Sequence, residues 1–352
     1  MIGKNKYKIL PHSRPWIIKE DIDSVNKIFK TKMISSGDLV QQFEKKISKY
    51  YSSKYSFALS SGTSAIIVAL IAMNIRPGDG IILPSYVCKD VLKAVLSLGA
   101  TPQLCDVNSN GVVTEKTVKK VFNKKTKAII AVHIFGNACN IKSLFKFKVP
   151  IIEDVCQAFG LEINKKKAGT IGDFGILSFN ATKCLTTGEG GMVLTNKFSY
   201  AKKIKQILDD KNHISLTKYQ NFETITNIQA ALGMSQLRRY KKFIKKRDEL
   251  FEKFYLVSKK NSLCLINDLK SNFKFRFVIK KKNNFKLLEK KFLTKNIIIR
   301  RGVDQLLHRI LNLNDKNFKN AVELFNSSIS IPFYPSLSNS EINRILRLLI
   351  KI

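Results

Sequence analysis

Between residues 55 and about 200 the chain alternates short β-rich apolar runs with helical stretches, and this alternation restricts the fold more than any other feature. The runs fall at 55–59, 80–83, 101–106, 128–132, 151–153, 175–179 and 191–195. A helix placed between successive strands is long enough to carry the chain back to the same edge of a sheet, which is the connection parallel strands require. The expected core is therefore α/β, with a mainly parallel seven-stranded sheet flanked by helices. Residues 19–30 and 38–50 carry helical periodicity with Gly37 between them, and 225–258 reads as one long helical stretch.

Beyond Ser262 the pattern changes. Residues 273–279 alternate like a strand, 285–292 look helical, 297–299 read as a second strand and 341–350 as a terminal helix. This predicts a large domain over residues 1–255, including the N-terminal helical segment, and a small α+β domain over residues 256–352. A chain of 352 residues is long enough for that division.

The charge is extreme: 62 Lys+Arg against 26 Asp+Glu gives +36. Nucleic-acid binding is the functional reading such a balance invites. Only eleven of the cations are arginine, however, and the lysines are scattered in short runs such as Lys119-Lys120, Lys165 to Lys167 and Lys280 to Lys282. Base readout favours clustered arginine, so the excess reads as lysine on solvated faces, and nucleic acid is not expected as a partner. Six cysteines form no C-x-x-C pair, and the four histidines show no metal-ligand spacing, so no metal is expected. With no apolar run approaching eighteen residues and no h-region after MIGKNKYKIL, the expectation is a soluble, reduced, cytoplasmic protein without a membrane partner.

Three local features carry chemistry. SFNATKCLTTGEGGMV places Lys183 among glycines and small hydroxyl residues rather than in the lysine-rich background. IIEDVCQAFG is an apolar strand ending in Glu153 and Asp154, followed by a helix-compatible segment. FALSSGTSAIIVALIAM reads as strand, tight turn and apolar helix. A lysine, a carboxylate after a strand and a Ser/Gly/Thr turn opening a helix are what pyridoxal phosphate chemistry needs: an amine, an anion for the pyridine nitrogen, and a helix N-terminus for the phosphate. Each piece also has a plain structural use. Gly62 could supply a positive φ while Ser61 or Thr63 caps the helix, Asp154 could be an N-cap, and Gly188 to Gly191 could be a simple loop.

Over nearly its whole length the sequence resembles the DegT/DnrJ/StrS group of sugar aminotransferases, enzymes of the fold type I pyridoxal phosphate class. The resemblance runs from HSRPWIIKEDIDSV through SSGTSAIIVAL, GDGIILPSYVCKDVLKAVL, IIEDVCQAFG, GDFGILSFNATKCLTTGEGGMV and TNIQAALGMSQL to ISIPFYPSLSNSEI. It implies pyridoxal 5'-phosphate as cofactor, Lys183 as the Schiff-base lysine and Asp154 as the partner of the pyridinium nitrogen. It further implies Gln157 against the ring on the same face of a following helix, Gly62 and Thr63 on the phosphate, and Ser178 adding a hydroxyl. Cys88 stands where the family usually places a stacking aromatic. Asn221 is the nearest match to the family asparagine that reaches the phosphate of a neighbouring subunit, which implies a homodimer with a shared active site. Arg300, Arg301 and His308 lie in a stretch that approaches the substrate in the family, and Arg276, Arg300 or Arg301 could clamp a carboxylate.

The expected activity is transfer of an amino group from an amino acid, glutamate first, to a keto group on a nucleotide-linked sugar, in cell-surface polysaccharide or amino-sugar biosynthesis. Two alternatives stand beside it. One is a dehydratase-like enzyme of the same family, in which His replaces the lysine. The other is a basic nucleic-acid-binding or regulatory protein on an aminotransferase scaffold.

Overall fold

A computed structural model describes residues 9–35, 37–209, 223–267, 269–282 and 285–352. Helices α1 (Lys19–Thr31) and α2 (Asp38–Tyr51) precede β1 (Tyr55–Leu59). There follow α3 (Gly62–Ala72), β2 (Gly80–Pro84), α4 (Lys89–Leu96), β3 (Thr101–Cys105), α5 (Glu115–Lys119), β4 (Thr126–Val132) and β5 (Ile151–Asp154). A hairpin of β6 (Glu162–Ile163) and β7 (Lys166–Lys167) leads to β8 (Phe174–Ser178) and β9 (Gly191–Thr195). Then come α6 (Phe198–Asp209), α7 (Asn227–Arg238), α8 (Tyr240–Lys260), β10 (Cys264–Leu265), β11 (Phe277–Lys280) and α9 (Phe285–Leu293). The remaining elements are α10 (Leu307–Ile310), α11 (Lys319–Ser327), β12 (Ser328–Ile331) and α12 (Asn339–Leu349).

The large sheet has seven strands in the order β1-β9-β8-β5-β4-β2-β3. β3, β2, β4, β5 and β8 pair in parallel, whereas β9 runs antiparallel to both β8 and β1. The mainly parallel α/β reading is thus the observed architecture, with β9 as its one reversed strand. Because β9 is reversed, β1 points the same way as β8, and the carboxyl ends of β1, β2, β5 and β8 all meet one edge of the sheet. That edge is where open α/β sheets form their binding crevices.

Strand and helix chemistry explain the placement. β2 is buried at every residue, as both-face coverage of a parallel sheet demands. Helix α3 has no polar face and buries Ala65 to Leu70 and Ala72 between the sheet and its neighbours. Phe43, Ile47, Phe179 and Tyr240 belong to a second cluster, and Phe251, Phe254, Phe277, Phe292 and Ile345 to a third around β10, β11 and β12. The chain position 255/256 lies inside the unbroken helix α8, and Leu10 joins the third cluster with the C-terminal residues.

Several sequence expectations change. The stretch 225–258 is two helices, broken at Arg239, whose guanidinium reaches Asp21 and the Trp16 carbonyl. Residues 273–276 are not a strand. Phe273, Lys274 and Phe275 are all buried, and the Phe275 N–H donates to the Phe135 carbonyl while the Phe275 carbonyl accepts from Arg247. Residues 297–299 make single bridges only, Ile297 with Leu10, while the adjacent Arg300 bridges Ser330. The segment after Asp154 forms turns, not a helix; Gly160 takes φ +83° as the chain heads into the β6–β7 hairpin.

Candidate active site

The structure brings most of the expected residues to one place, the carboxyl edge of the large sheet. Asp154 ends β5, Ser178 ends β8, Ser61 and Gly62 follow β1, and Cys88 follows β2 as the N-cap of α4. Lys183 stands in the β8–β9 connection. Its N–H donates to the Asn180 carbonyl, and the Asn180 side chain accepts from Thr182 and donates to Glu189, so the loop that presents the lysine is tied at both ends.

Alternation on β5 separates the two acids. Glu153 is fully buried and accepts from the N–H groups of Ile171 and Gly172 and from His133 Nε2 at 3.2 Å. The Cys139 N–H donates to His133 Nδ1, which leaves the ring proton on the nitrogen facing Glu153. Asp154 is 5% exposed and points the other way. Its Oδ1 accepts from the Cys156 N–H at 2.9 Å, an Asx turn rather than a helix N-cap, and the Cys156 thiol also bonds to the carboxylate. Gln157 sits on this turn, half-buried, and its Oε1 accepts from the Phe135 N–H at 3.1 Å. The expectation of a helical i, i+3 relation between Asp154 and Gln157 is therefore replaced by a turn that delivers both to the same edge.

Ser61, not Thr63, caps α3, accepting from the Ser64 N–H at 3.0 Å. Gly62 is already helical, so it is not there for a positive φ. Its lack of a side chain is what matters: a Cβ at this position would lie 3.2 Å from Ser178 Cβ and 3.3 Å from Cys156 Sγ. The G-E-G-G run has a like purpose. Gly188 and Gly190 take φ +85° and +153°, and a Cβ on Gly191 would collide with the Ser61 carbonyl at 2.2 Å, so β9 permits the α3 turn to sit against the sheet.

Lys183 and Asp154 converge electrostatically on Cys156. Burial holds this thiol well above its ordinary range, the Asp154 charge pushes the same way, and the Lys183 charge opposes them. Lys183 also acts on the Cys88 thiol, whose Sγ donates to Asp90 at 3.2 Å. On its other side Lys183 borders a cleft lined by His12, Arg14, Trp16, Arg247, Phe275 and Arg276. One ring organises the cations there: Lys183 Nζ, Arg276 Cζ and Arg247 Cζ lie 5.7, 5.7 and 5.9 Å from the centroid of Phe275. His12 is buried between Ser330 and Ser13, and burial, with Arg276 and Arg300, pulls its pKa well down, which keeps it neutral.

Other expectations do not join the site. His308 is completely buried, bonded to Ser85 and Asp315 and stacked on Phe318. Arg301 donates to the Phe325 carbonyl and packs on Phe285 and Phe325. Both act within the fold, because the chain after Gly302 turns down toward β2 instead of facing the cleft. Asn221 lies outside the described residues. The N-terminal wall of the cleft, Arg247 and Phe275 were not singled out from the sequence; the H-S-R-P-W string was the only available signal.

The donor set suits a phosphorylated pyridine aldehyde. It combines an amine, a buried carboxylate, and a helix N-terminus ringed by Ser60, Ser61 and Ser64. The profile of the DegT/DnrJ/EryC1/StrS aminotransferase family matches residues 15–349, and the chain belongs to this family. It is therefore a pyridoxal 5'-phosphate-dependent aminotransferase.

The GDP-perosamine synthase of Vibrio cholerae is 34% identical over 62% of this chain and 62% of its own length. Among solved structures, Helicobacter pylori PseC, an aminotransferase involved in the biosynthesis of pseudoaminic acid, superposes with a TM-score of 0.88 at 24% identity, over 98% of this chain and 99% of its own. The Escherichia coli GDP-4-keto-6-deoxy-D-mannose-3-dehydratase with bound hydrated pyridoxal phosphate gives 0.86 at 22% identity, over 98% and 100%. Among the described residues no helix is long and apolar enough to cross a membrane.

Proposed function

We propose that this enzyme moves an amino group from glutamate to a keto group of a nucleotide-linked sugar, in the making of a cell-surface polysaccharide or another amino-sugar product. The observation that carries the reading is the meeting of Lys183, Asp154 and the Gly62–Ser178 cradle at one sheet edge, beside a cleft rich in cations. The names of the relatives support the sugar class. Pyridoxal phosphate, when bound, supplies the electron sink that makes a proton on the substrate carbon labile.

The chain's own residues have separable tasks. Gly62, Thr63 and the serines of the α3 turn would receive the phosphate, with Ser178 beside them. Asp154 would face the pyridine nitrogen with Oδ2 while Oδ1 stays on the Cys156 N–H. Gln157, steadied by the Phe135 N–H, would lie against the ring. Cys88 borders the same edge, and its small thiol leaves room that a stacking aromatic would fill. Lys183 would take a proton from the donor's α-carbon and return one in the acceptor half, so a single amine acts as base and then acid.

We also propose a homodimer whose partner supplies Asn221 to the phosphate, acting in the cytoplasm, with two domains meeting along α8. Light scattering at assay concentration tests the dimer, and a fully active monomer would exclude it. For substrate class, glutamate is offered with keto sugars carried on UDP, dTDP, GDP and CDP, alongside small keto acids. Turnover with one of the sugars is expected. Turnover only with the keto acids would overturn the assignment.

A further inference from the structure

Helix α9 seats Leu288 and Phe292 in the third cluster, with Phe285 beside them, yet it leaves two leucines in the open. Leu287 is 66% exposed and Leu293 55%. At about 100° per residue these two stand about 60° to either side of Lys290 on the outward face, with Lys286 between them. Lys291 Nζ donates to the Lys351 carbonyl at 2.6 Å, which brings Lys351 and the exposed Ile350 alongside the helix. Arg344 donates to the Lys295 carbonyl at 2.7 Å, so both extend the surface past the end of α9.

The charge of this surface is one-sided. Residues 280–300 hold eight Lys and Arg against a single acid, Glu289, whose charge acts on Arg301. The nearby ion pairs, Lys280 with Glu323 and Arg14 with Glu341, do not draw on α9, and no carboxylate pairs with Lys286, Lys290, Lys295 or Lys351 among the described residues. Helix α1 also exposes Ile22 and Phe29, but Glu20 and Asp23 stand among them. Bare leucines lose free energy in water, and unpaired lysines repel one another. A layer of phosphates with apolar depth beneath it relieves both, since lysine stems are long enough to carry their ammonium groups past the leucines. The helix offers no arginine fork of the kind that reads nucleic acid. We propose that α9, with Ile350 and Lys351, is a peripheral seat for an anionic phospholipid surface. Leu287 and Leu293 enter the headgroup layer, and Lys286, Lys290 and Lys351 lie on the lipid phosphates. The contact spans nothing, so run length, which detects spans only, does not register it. None of these residues lines the cleft beside Lys183.

The test is flotation of the full chain with vesicles of phosphatidylcholine alone, or with about a third phosphatidylglycerol, at about 0.1 M salt, the bound fraction being titrated against lipid. Capture by the anionic vesicles is expected, with binding to the neutral ones about tenfold weaker or less. The pair Leu287→Ser with Leu293→Ser should weaken the anionic binding by about tenfold, and so should the pair Lys286→Glu with Lys290→Glu. Lys45→Glu with Lys46→Glu makes the same charge change on α2 and should alter it by less than about threefold. All four α9 side chains are exposed, so their variants should keep the parental thermal midpoint within a few degrees.

No capture by the anionic vesicles overturns the proposal. So does capture that the α2 pair weakens as much as the α9 pairs, which would make it an effect of net charge alone. Capture indifferent to the leucine pair overturns it as well, because no apolar seat would remain. A leucine pair that lowers the mass read by light scattering would assign the face to contact between copies of the chain instead.

Discussion

The Cys156 N–H reaches Asp154 Oδ1 at 2.9 Å, so one oxygen of this carboxylate holds a turn while the other faces the site. The two duties can be separated by one substitution. Asn at 154 keeps an oxygen acceptor for the turn but removes the charge. Asp154→Asn is expected to leave the thermal midpoint within a few degrees of the parent and to lower turnover by about a hundredfold or more, in the range that loss of a preorganised charge produces. A variant with parental turnover would show that Asp154 serves only the turn.

Lys183→Ala should give a colourless protein without the yellow, borohydride-reducible absorbance of the parent, and with transamination reduced by at least the 10²–10⁴-fold that a positioned proton carrier contributes. The check is the absorbance spectrum before and after reduction, together with the mass of the labelled peptide. A reducible band that survives in the variant would place the chemistry on another lysine.

Gly62→Ala should fold, because α3 retains its Ser61 cap and its apolar contacts, yet bind cofactor about tenfold more weakly. The added Cβ, 3.2 Å from Ser178 Cβ and 3.3 Å from Cys156 Sγ, shifts the turn that opens α3. Cofactor titration of the apoprotein measures the change, and an unaltered affinity would mean that the phosphate lies elsewhere.

Glu44 offers a stability test away from the site. Burial lifts its pKa from the ordinary 4.5 to about 7, against the pull of the Ala58 N–H that donates to Oε1 at 2.7 Å. The folded-state pKa is raised, so any advantage of Glu44 is present below about 4.5 and is lost as pH climbs through about 7. Gln at 44 keeps the acceptor and does not ionise. Glu44→Gln should therefore match the parent near pH 5 and exceed it by about 1–2 kcal/mol at pH 8, read from paired denaturant midpoints. Equal gains at both pH values would show that ionisation is not the cause.

The seven strands of the large sheet were legible because burial on both faces writes β-rich apolar runs, and their ends moved by only a residue or two. The relation of Glu153 to Asp154 was not. Alternation says that neighbours face opposite ways, but only the buried His133 and the Ile171 and Gly172 amides reveal which of them is structural. Gln157 was joined to Asp154 through a helix face, but Q-A-F-G turns into a hairpin instead of continuing a helix. The run F-K-F-R-F around Arg276 imitates a strand, although the Phe275 N–H is spent on the Phe135 carbonyl of another part of the chain. The four residues of β12, S-I-S-I, are too few for a pattern, and their partner strand is distant in sequence.

The pair formed by Arg14 and Glu341 joins residues 327 positions apart. During synthesis the large sheet emerges in the interval between these two residues, so it can assemble before this side of the cleft is fastened. The order of emergence thus favours building the platform first and pinning its wall afterwards.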